Sequence, residues 1–415
     1  VGLVAACGGG GGSKVKPDEN ANAGPAPASL TYLSATPDLI YLSGAPGPHR
    51  ADVVFEVRDA TGAVLAGEAV RVQLANALLG AALDGAGTDG SLTVASDAEG
   101  KVRVTVLAGT VPGAVRVAAS VVDAPAIATS SLELRVATGR PAQSRASLAA
   151  SVLSIEAFQI DGAETTLTLS LADRQGNPVP DGTQVNFVAE SGAVFPSTCV
   201  VTGGSSRCSV VLRSQGVRPV NGQVSILAYT PGEEDFTDLN GNNAWDSGEP
   251  FADMGDAFRD DDENGAWEAG EFQVRRGGAA PCAGTDLVSA PGRANTCDGR
   301  WGETDVRRQI RIVFATSEAQ FTASAPSVPT TGTFDVLVAD RLGNSLATGS
   351  TIAVLVRPAS DASSCTAEVS PTTVPNGVRP TLVRLTTKDC LLADRLELTA
   401  RSPSGIATVV SYGVQ

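Results

Sequence analysis

Two stretches of this chain place oxygen-bearing side chains at a spacing that wraps a hard cation. Asp238, Asn240, Asn242, Asp246 and Glu249 fall at positions 1, 3, 5, 9 and 12 of one twelve-residue segment. Asp260, Asp262, Asn264, Glu268 and Glu271 repeat those positions 22 residues later, with Gly265 at position 6. Calcium takes about six to eight oxygens at about 2.3–2.6 Å, and such a loop supplies them, with a backbone carbonyl from position 7. Ala244 and Ala266 stand at that position. The expectation is two Ca2+ loops. Trp245 and Trp267 both occupy position 8, where paired loops of this kind pack against each other. Asn243 replaces the usual Gly at position 6 of the first loop, which predicts weaker binding there. Asp253 and Asp256 lie between the loops and are available to complete either site.

Other chemistry is scarce. The chain has a single histidine, His49, in the polar turn Pro46-Gly-Pro-His-Arg50, read as exposed. A Ser-His-Asp or Cys-His arrangement would have to use it, and a multi-histidine zinc site is excluded. The loop carboxylates have no Trp/Tyr-rich cleft around them, so a glycosidase pair is disfavoured. No catalytic residues are assigned. Trp301 is read as packing over the segment between Cys282 and Cys297.

The charge is as local as the ligands. The formal net charge is −15, and residues 233–271 hold 14 Asp or Glu against one Arg, a net of −13, which leaves −2 for the rest. That concentration suggests a cation site more than a solubility device. No basic stripe is present, so nucleic acid is not an expected partner.

Six cysteines fall in sequence-local pairs 9, 15 and 25 residues apart: Cys199 and Cys208, Cys282 and Cys297, Cys365 and Cys390. Six allow 15 connectivities; the local pairing is expected, formed in an oxidising compartment. The seventh, Cys7, follows Leu3-Val-Ala-Ala6 and precedes five glycines. This segment resembles the lipobox of bacterial lipoproteins. The resemblance implies a signal-peptide tail and lipobox at 1–7, lipid on Cys7 and, with Gly8 next, an outer-membrane or cell-surface location.

Residues 8–29 read as a flexible tether of Gly, Pro, Ala, Asn and Lys. Beyond them apolar residues alternate with polar ones, as in Val53-Val-Phe-Glu-Val57 and Lys101-Val-Arg-Val-Thr-Val106. Period two predicts strands that bury one face, and hence β-sandwiches. One unit occurs three times, at Asp59-Ala-Thr-Gly62, Asp173-Arg-Gln-Gly176 and Asp340-Arg-Leu-Gly343, each between strands. The copies are 114 and 167 residues apart, so the middle one carries an insertion of 167 − 114 = 53 residues or thereabouts. A loop tip is where a sandwich tolerates one best. The strands flanking it, around Gln223–Tyr229 and Gln309–Phe314, are expected to be neighbours in one sheet.

The repeated unit, strand-Asp-x-x-Gly followed by a second Gly and strand, resembles the bacterial immunoglobulin-like domains of the invasin and intimin type. The acidic loops resemble the EF-hand-like loops of dockerins and thrombospondin-type calcium repeats, although Pro250 and Gln273-Val-Arg-Arg276 make flanking helices doubtful. The fold expected is all-β: three tandem immunoglobulin-like β-sandwiches, the middle one with a long acidic loop insertion. They are placed at 30–138, 139–317 with the insertion at about 231–305, and 318–415. The resemblance implies a non-catalytic surface stalk for adhesion or spacing, stiffened by calcium and held to the membrane through Cys7. The partner would be a host, matrix or glycan surface ligand. The rival expectation is a carbohydrate- or protein-binding module, or a self-associating structural subunit, of a surface assembly.

Overall fold

Alternating apolar residues become strands with one dry face throughout the computed structural model, which describes residues 25–76, 78, 80–282 and 289–415. Cys7 and the tether up to residue 24 lie outside the described residues. The architecture is all-β, and among the described residues the one helical element is a short 3-10 turn at Gln143–Arg145. Among the described residues no helix is long and apolar enough to cross a membrane.

The chain falls into two units. The first comprises residues up to Leu39, Arg50–Gly109 and Ala114–Arg135. Its two four-stranded sheets run Pro27–Thr36, Arg50–Asp59, Lys101–Leu107, Ala82–Leu83, and Ala128–Ser130, Val117–Val121, Ala69–Leu74, Ser91–Ala95. Val53, Phe55, Val57, Val102, Val104 and Val106 from one sheet, with Val70, Val72, Val117 and Val121 from the other, are buried. This is a sandwich built by period-two burial.

The second unit, Ile40–His49, Thr110–Gly113 and Val136–Gln415, holds two more sandwiches with separate cores. The first pairs a four-stranded sheet (Ser147–Ala150, Glu164–Ser170, Arg207–Arg213, Ala193–Phe195) with a five-stranded one. The five-stranded sheet runs Ser154–Glu156, Glu303–Ala315, Gln223–Glu233, Gln184–Ala189, Thr198–Val200. The second is built from Ala319–Ala323, Gly332–Asp340, Thr381–Lys388, Thr366–Ser370 and from Thr351–Arg357, Arg395–Arg401, Ala407–Gly413. Polar contacts join these two sandwiches: Leu153 N donates to Asn376 Oδ1 at 2.8 Å, and Ser404 N to Glu156 Oε2 at 2.8 Å.

The repeated unit is one turn made three times. Asp59, Asp173 and Asp340 each accept with Oδ1 the amide four residues on, at 2.9, 2.8 and 2.8 Å. Gly62, Gly176 and Gly343 take φ of +86°, +87° and +84°, which an L side chain resists. The three local cysteine pairs are disulfides.

Strands Gln223–Glu233 and Glu303–Ala315 pair antiparallel from Gln223↔Val313 to Glu233↔Glu303, so the insertion between them is residues 234–302. It leaves from the tip of that hairpin and folds back over the sheet. Ile226 and Ala228 belong to the sandwich core, so Leu227 faces outward, yet it is fully buried. Asp305, Arg307 and Gln309 on the same outer face are buried too. The insertion covers that face as an added layer, contributing buried Met254, Ala257, Phe258 and Ala290.

Candidate metal centre

Neither acidic loop is flanked by helices; each is closed by its own extended ends. Phe236 bridges Phe251 around the first loop, and Phe258 pairs with Gln273 around the second. Inside, the loops make one hydrogen-bond pattern twice. The position 6 amide donates to the Oδ2 of position 1, Asn243 to Asp238 at 2.7 Å and Gly265 to Asp260 at 2.8 Å. The position 2 amide donates to Oε1 of position 12, Leu239 to Glu249 at 2.7 Å and Asp261 to Glu271 at 2.8 Å. The position 9 amide donates to Oε2 of the same glutamate, at 3.0 Å from Asp246 and 2.9 Å from Glu268. The position 8 indole N–H reaches the carbonyl of position 12, at 3.1 Å from Trp245 and 3.4 Å from Trp267.

In the second loop these bonds curl the chain so that its acidic side chains converge. One oxygen from each of Asp260, Asp262 and Glu271 lies within 4.8 Å of the other two. The ligand positions offer carboxylates, Asn amides and the carbonyls of Ala244 and Ala266, with no His or Cys; Asn240 Nδ2 and Asn242 Nδ2 both donate to Asp246 Oδ2 at 2.7 Å. Such a hard, all-oxygen set fits calcium. Asn243 does not break the first loop: it takes φ +63°, a region asparagine enters more readily than most residues, while Gly265 takes +80°.

The two loops sit in different surroundings. Asp260 is fully buried, and that burial, with Asp262 beside it, pushes its carboxyl above the usual range. Asp238 is more exposed, and the Asn243 amide first among several amides holds its carboxyl below that range. The second loop is tied to the sandwich. Asp260 N donates to Gln309 Oε1 at 2.9 Å, Arg259 Nη1 to Ala189 O at 2.7 Å, and Arg311 pairs with Glu263 at 2.8 Å. The first is tied by Arg174, which pairs with Glu233 at 2.8 Å, lies 4.1 Å from the Phe236 ring centre and reaches Asn243 O at 3.5 Å.

Two expectations change. Trp245 does not face Trp267; it stacks on Trp301, with ring centres 5.8 Å apart and planes 15° apart. Trp267 instead carries the Arg293 guanidinium 3.9 Å from its ring centre. Trp301 packs in an aromatic cluster with Phe236 and Trp245. Asp253 and Asp256 join neither loop. Asp256 accepts Arg276 N and Gln273 Nε2, both at 2.8 Å, while Asp253 accepts Gly299 N at 2.8 Å. His49 is exposed.

No protein-family model matches the chain, and no curated protein matches it. Among solved structures it is similar to invasin, a bacterial integrin-binding protein, at 18% identity and TM-score 0.25, covering 93% of this chain and 60% of that one. It is similar to the Escherichia coli adhesin FdeC at 14% identity and TM-score 0.26, covering 93% and 96%. It is similar to the D0-D1 domain of intimin at 16% identity and TM-score 0.23, covering 49% and 90%. These are likenesses of architecture at low identity.

Proposed function

We propose that this protein is a bacterial surface stalk, for adhesion or spacing, whose middle sandwich is stiffened by calcium. The observation that carries the calcium reading is the duplicated loop. Two segments of different sequence fold into one hydrogen-bond pattern, and in the second three carboxylates converge. When bound, Ca2+ would supply the positive charge that this acidic layer lacks, held by Asp238, Asn240, Asn242, Asp246, Glu249 and the Ala244 carbonyl in one loop. Asp260, Asp262, Asn264, Glu268, Glu271 and the Ala266 carbonyl would hold it in the other. The stalk reading draws support from the succession of sandwiches along the chain. Cys7, with its lipobox-like context, would fix one end in the outer membrane. A host, matrix or glycan ligand belongs to this same reading.

The test is a calcium titration of EDTA-treated protein followed by tryptophan fluorescence. A saturable change is expected, sharply reduced in the Asp238→Asn, Asp260→Asn double variant. A flat trace at millimolar calcium would refute the calcium reading.

A further inference from the structure

The hydrogen-bond pattern of the two loops occurs a third time, assembled from three separate pieces of chain. Met254 N donates to Glu234 Oε1 at 2.8 Å, as position 2 does to position 12 in each continuous loop. Gly299 N donates to Asp253 Oδ2 at 2.8 Å, as position 6 does to position 1. Gly302 N donates to Glu234 Oε2 at 3.2 Å, as position 9 does to position 12. The Trp301 indole N–H reaches Glu234 O at 3.0 Å, as position 8 does. Arg300 N donates to Asp298 Oδ1 at 2.9 Å, matching Ala244 to Asn242 at 2.8 Å and Ala266 to Asn264 at 2.7 Å. Gly299 has φ +72°, beside +63° and +80° for its counterparts. Asp253-Met254 thus plays positions 1 and 2, Asp298–Gly302 positions 5 to 9, and Glu234 position 12.

We propose that Asp253, Asp298, Glu234 and the Arg300 carbonyl form a third divalent-cation site, a split loop that pairs with the first continuous loop. The inference rests on the calcium reading of the two continuous loops. An independent observation points to a ligand here: Asp253 is 6% exposed, and its Oδ1 is buried with no hydrogen-bond partner. Position 1 is where a loop of this kind offers its first carboxylate oxygen to the ion. An orphaned carboxylate oxygen inside protein is costly, and a cation satisfies it. Glu234, at 3% exposed, is equally dry.

The stacking of Trp301 on Trp245 acquires a reason: both are position 8 residues, and they meet as paired loops would. All three tryptophans of the chain then occupy the same place in three loops. The split loop departs from the others in two places. Thr296 stands at position 3, with its hydroxyl committed to Arg293 O and Asp256 N, and Gly302 stands at position 9. Cys297, next to Asp298, is bonded to Cys282, which holds the distant piece in place.

The experiment counts calcium bound per full-length chain by equilibrium dialysis, with terbium luminescence excited through tryptophan as a second readout. Wild type should bind three ions, Asp253→Asn two, and the Asp238→Asn, Asp260→Asn double variant one. Asp298→Asn, at an exposed position, reports on the site if Asp253→Asn fails to fold, and should also lower the count by one. A count of two in wild type that neither single variant changes overturns the split site and leaves the continuous loops standing. A count of zero in wild type overturns both readings.

Discussion

Asp260 and Gln309 exchange two hydrogen bonds: the Asp260 amide donates to Gln309 Oε1 at 2.9 Å, and Gln309 Nε2 returns one to the Asp260 carbonyl at 2.7 Å. Both residues are buried, so this exchange welds position 1 of the second loop to a central strand of the sandwich. Replacing Gln309 by Ala strands an amide and a carbonyl in a dry place, at a cost of about 1–3 kcal/mol. Urea unfolding of Gln309→Ala should show that loss, and Gln309→Glu, which cannot donate, should recover only part of it. Wild-type stability in Gln309→Ala would mean that the weld contributes nothing.

Arg174 should matter to the first loop as Gln309 does to the second. Its guanidinium and the Glu233 carboxylate are both largely buried, 13% and 5% exposed at the side chain. Burial pushes the Glu233 carboxyl up, and Arg174 opposes that shift. Arg174→Ala leaves Glu233 without its partner and uncovers Phe236, a loss of about 3 kcal/mol. Denaturant midpoints of Arg174→Ala and of the Arg174→Met, Glu233→Leu pair discriminate the cause. The single variant should be the less stable of the two.

The continuous loops should fill in order. The second offers four carboxylates, Asp260, Asp262, Glu268 and Glu271, against three in the first, and more ligand charge gives tighter calcium binding. Trp267 reports the second loop and Trp245 the first. With Trp245→Phe the fluorescence change should occur at lower calcium than with Trp267→Phe. Coincident midpoints would remove the ranking.

Acid should loosen the contact between the two sandwiches of the second unit. Burial opposes ionisation of Glu156, but the hydroxyls of Ser317, Ser404 and Ser402 and the Ser404 amide outweigh it, so its carboxyl is lowered from 4.5. A carboxylate lowered by folding stabilises the folded state above its unfolded pKa, and that contribution is lost as pH falls through the lower folded value. Stability should therefore drop on going from pH 6 to below 4.5, and Glu156→Gln should flatten that part of the profile. Parallel profiles for the two proteins would place the acid sensitivity elsewhere.

How much of this was legible in the sequence varies from part to part. Period-two alternation in Val53–Val57 and Lys101–Val106 marks sandwich strands, because a half-buried strand has no other pattern. The Asp59, Asp173 and Asp340 turns were legible because a side-chain-capped turn needs Asp and a positive-φ Gly at fixed offsets. The added layer was less so. Its signal was the unbroken apolar run Ile226-Leu227-Ala228, which asks for two dry faces rather than one. The partner of Trp245 was not visible, since Glu234, Asp253 and Trp301 meet only after the Gln223–Glu233 and Glu303–Ala315 strands have paired. Two echoes remain in the sequence: Glu249-Pro-Phe-Ala-Asp253 repeats Glu234-Asp-Phe-Thr-Asp238, and Asp298-Gly-Arg-Trp301 repeats Asn264-Gly-Ala-Trp267.

The most direct test of calcium stiffening is calorimetry of the full chain in EDTA and across a calcium series. A ligand that binds only the folded state raises stability by RT ln(1 + [L]/Kd). The melting temperature of the unit that carries the insertion should climb steadily with the logarithm of calcium concentration. The Asp238→Asn, Asp260→Asn variant should respond far less, keeping only the share of the split site. Superimposable scans in EDTA and in millimolar calcium would contradict the account.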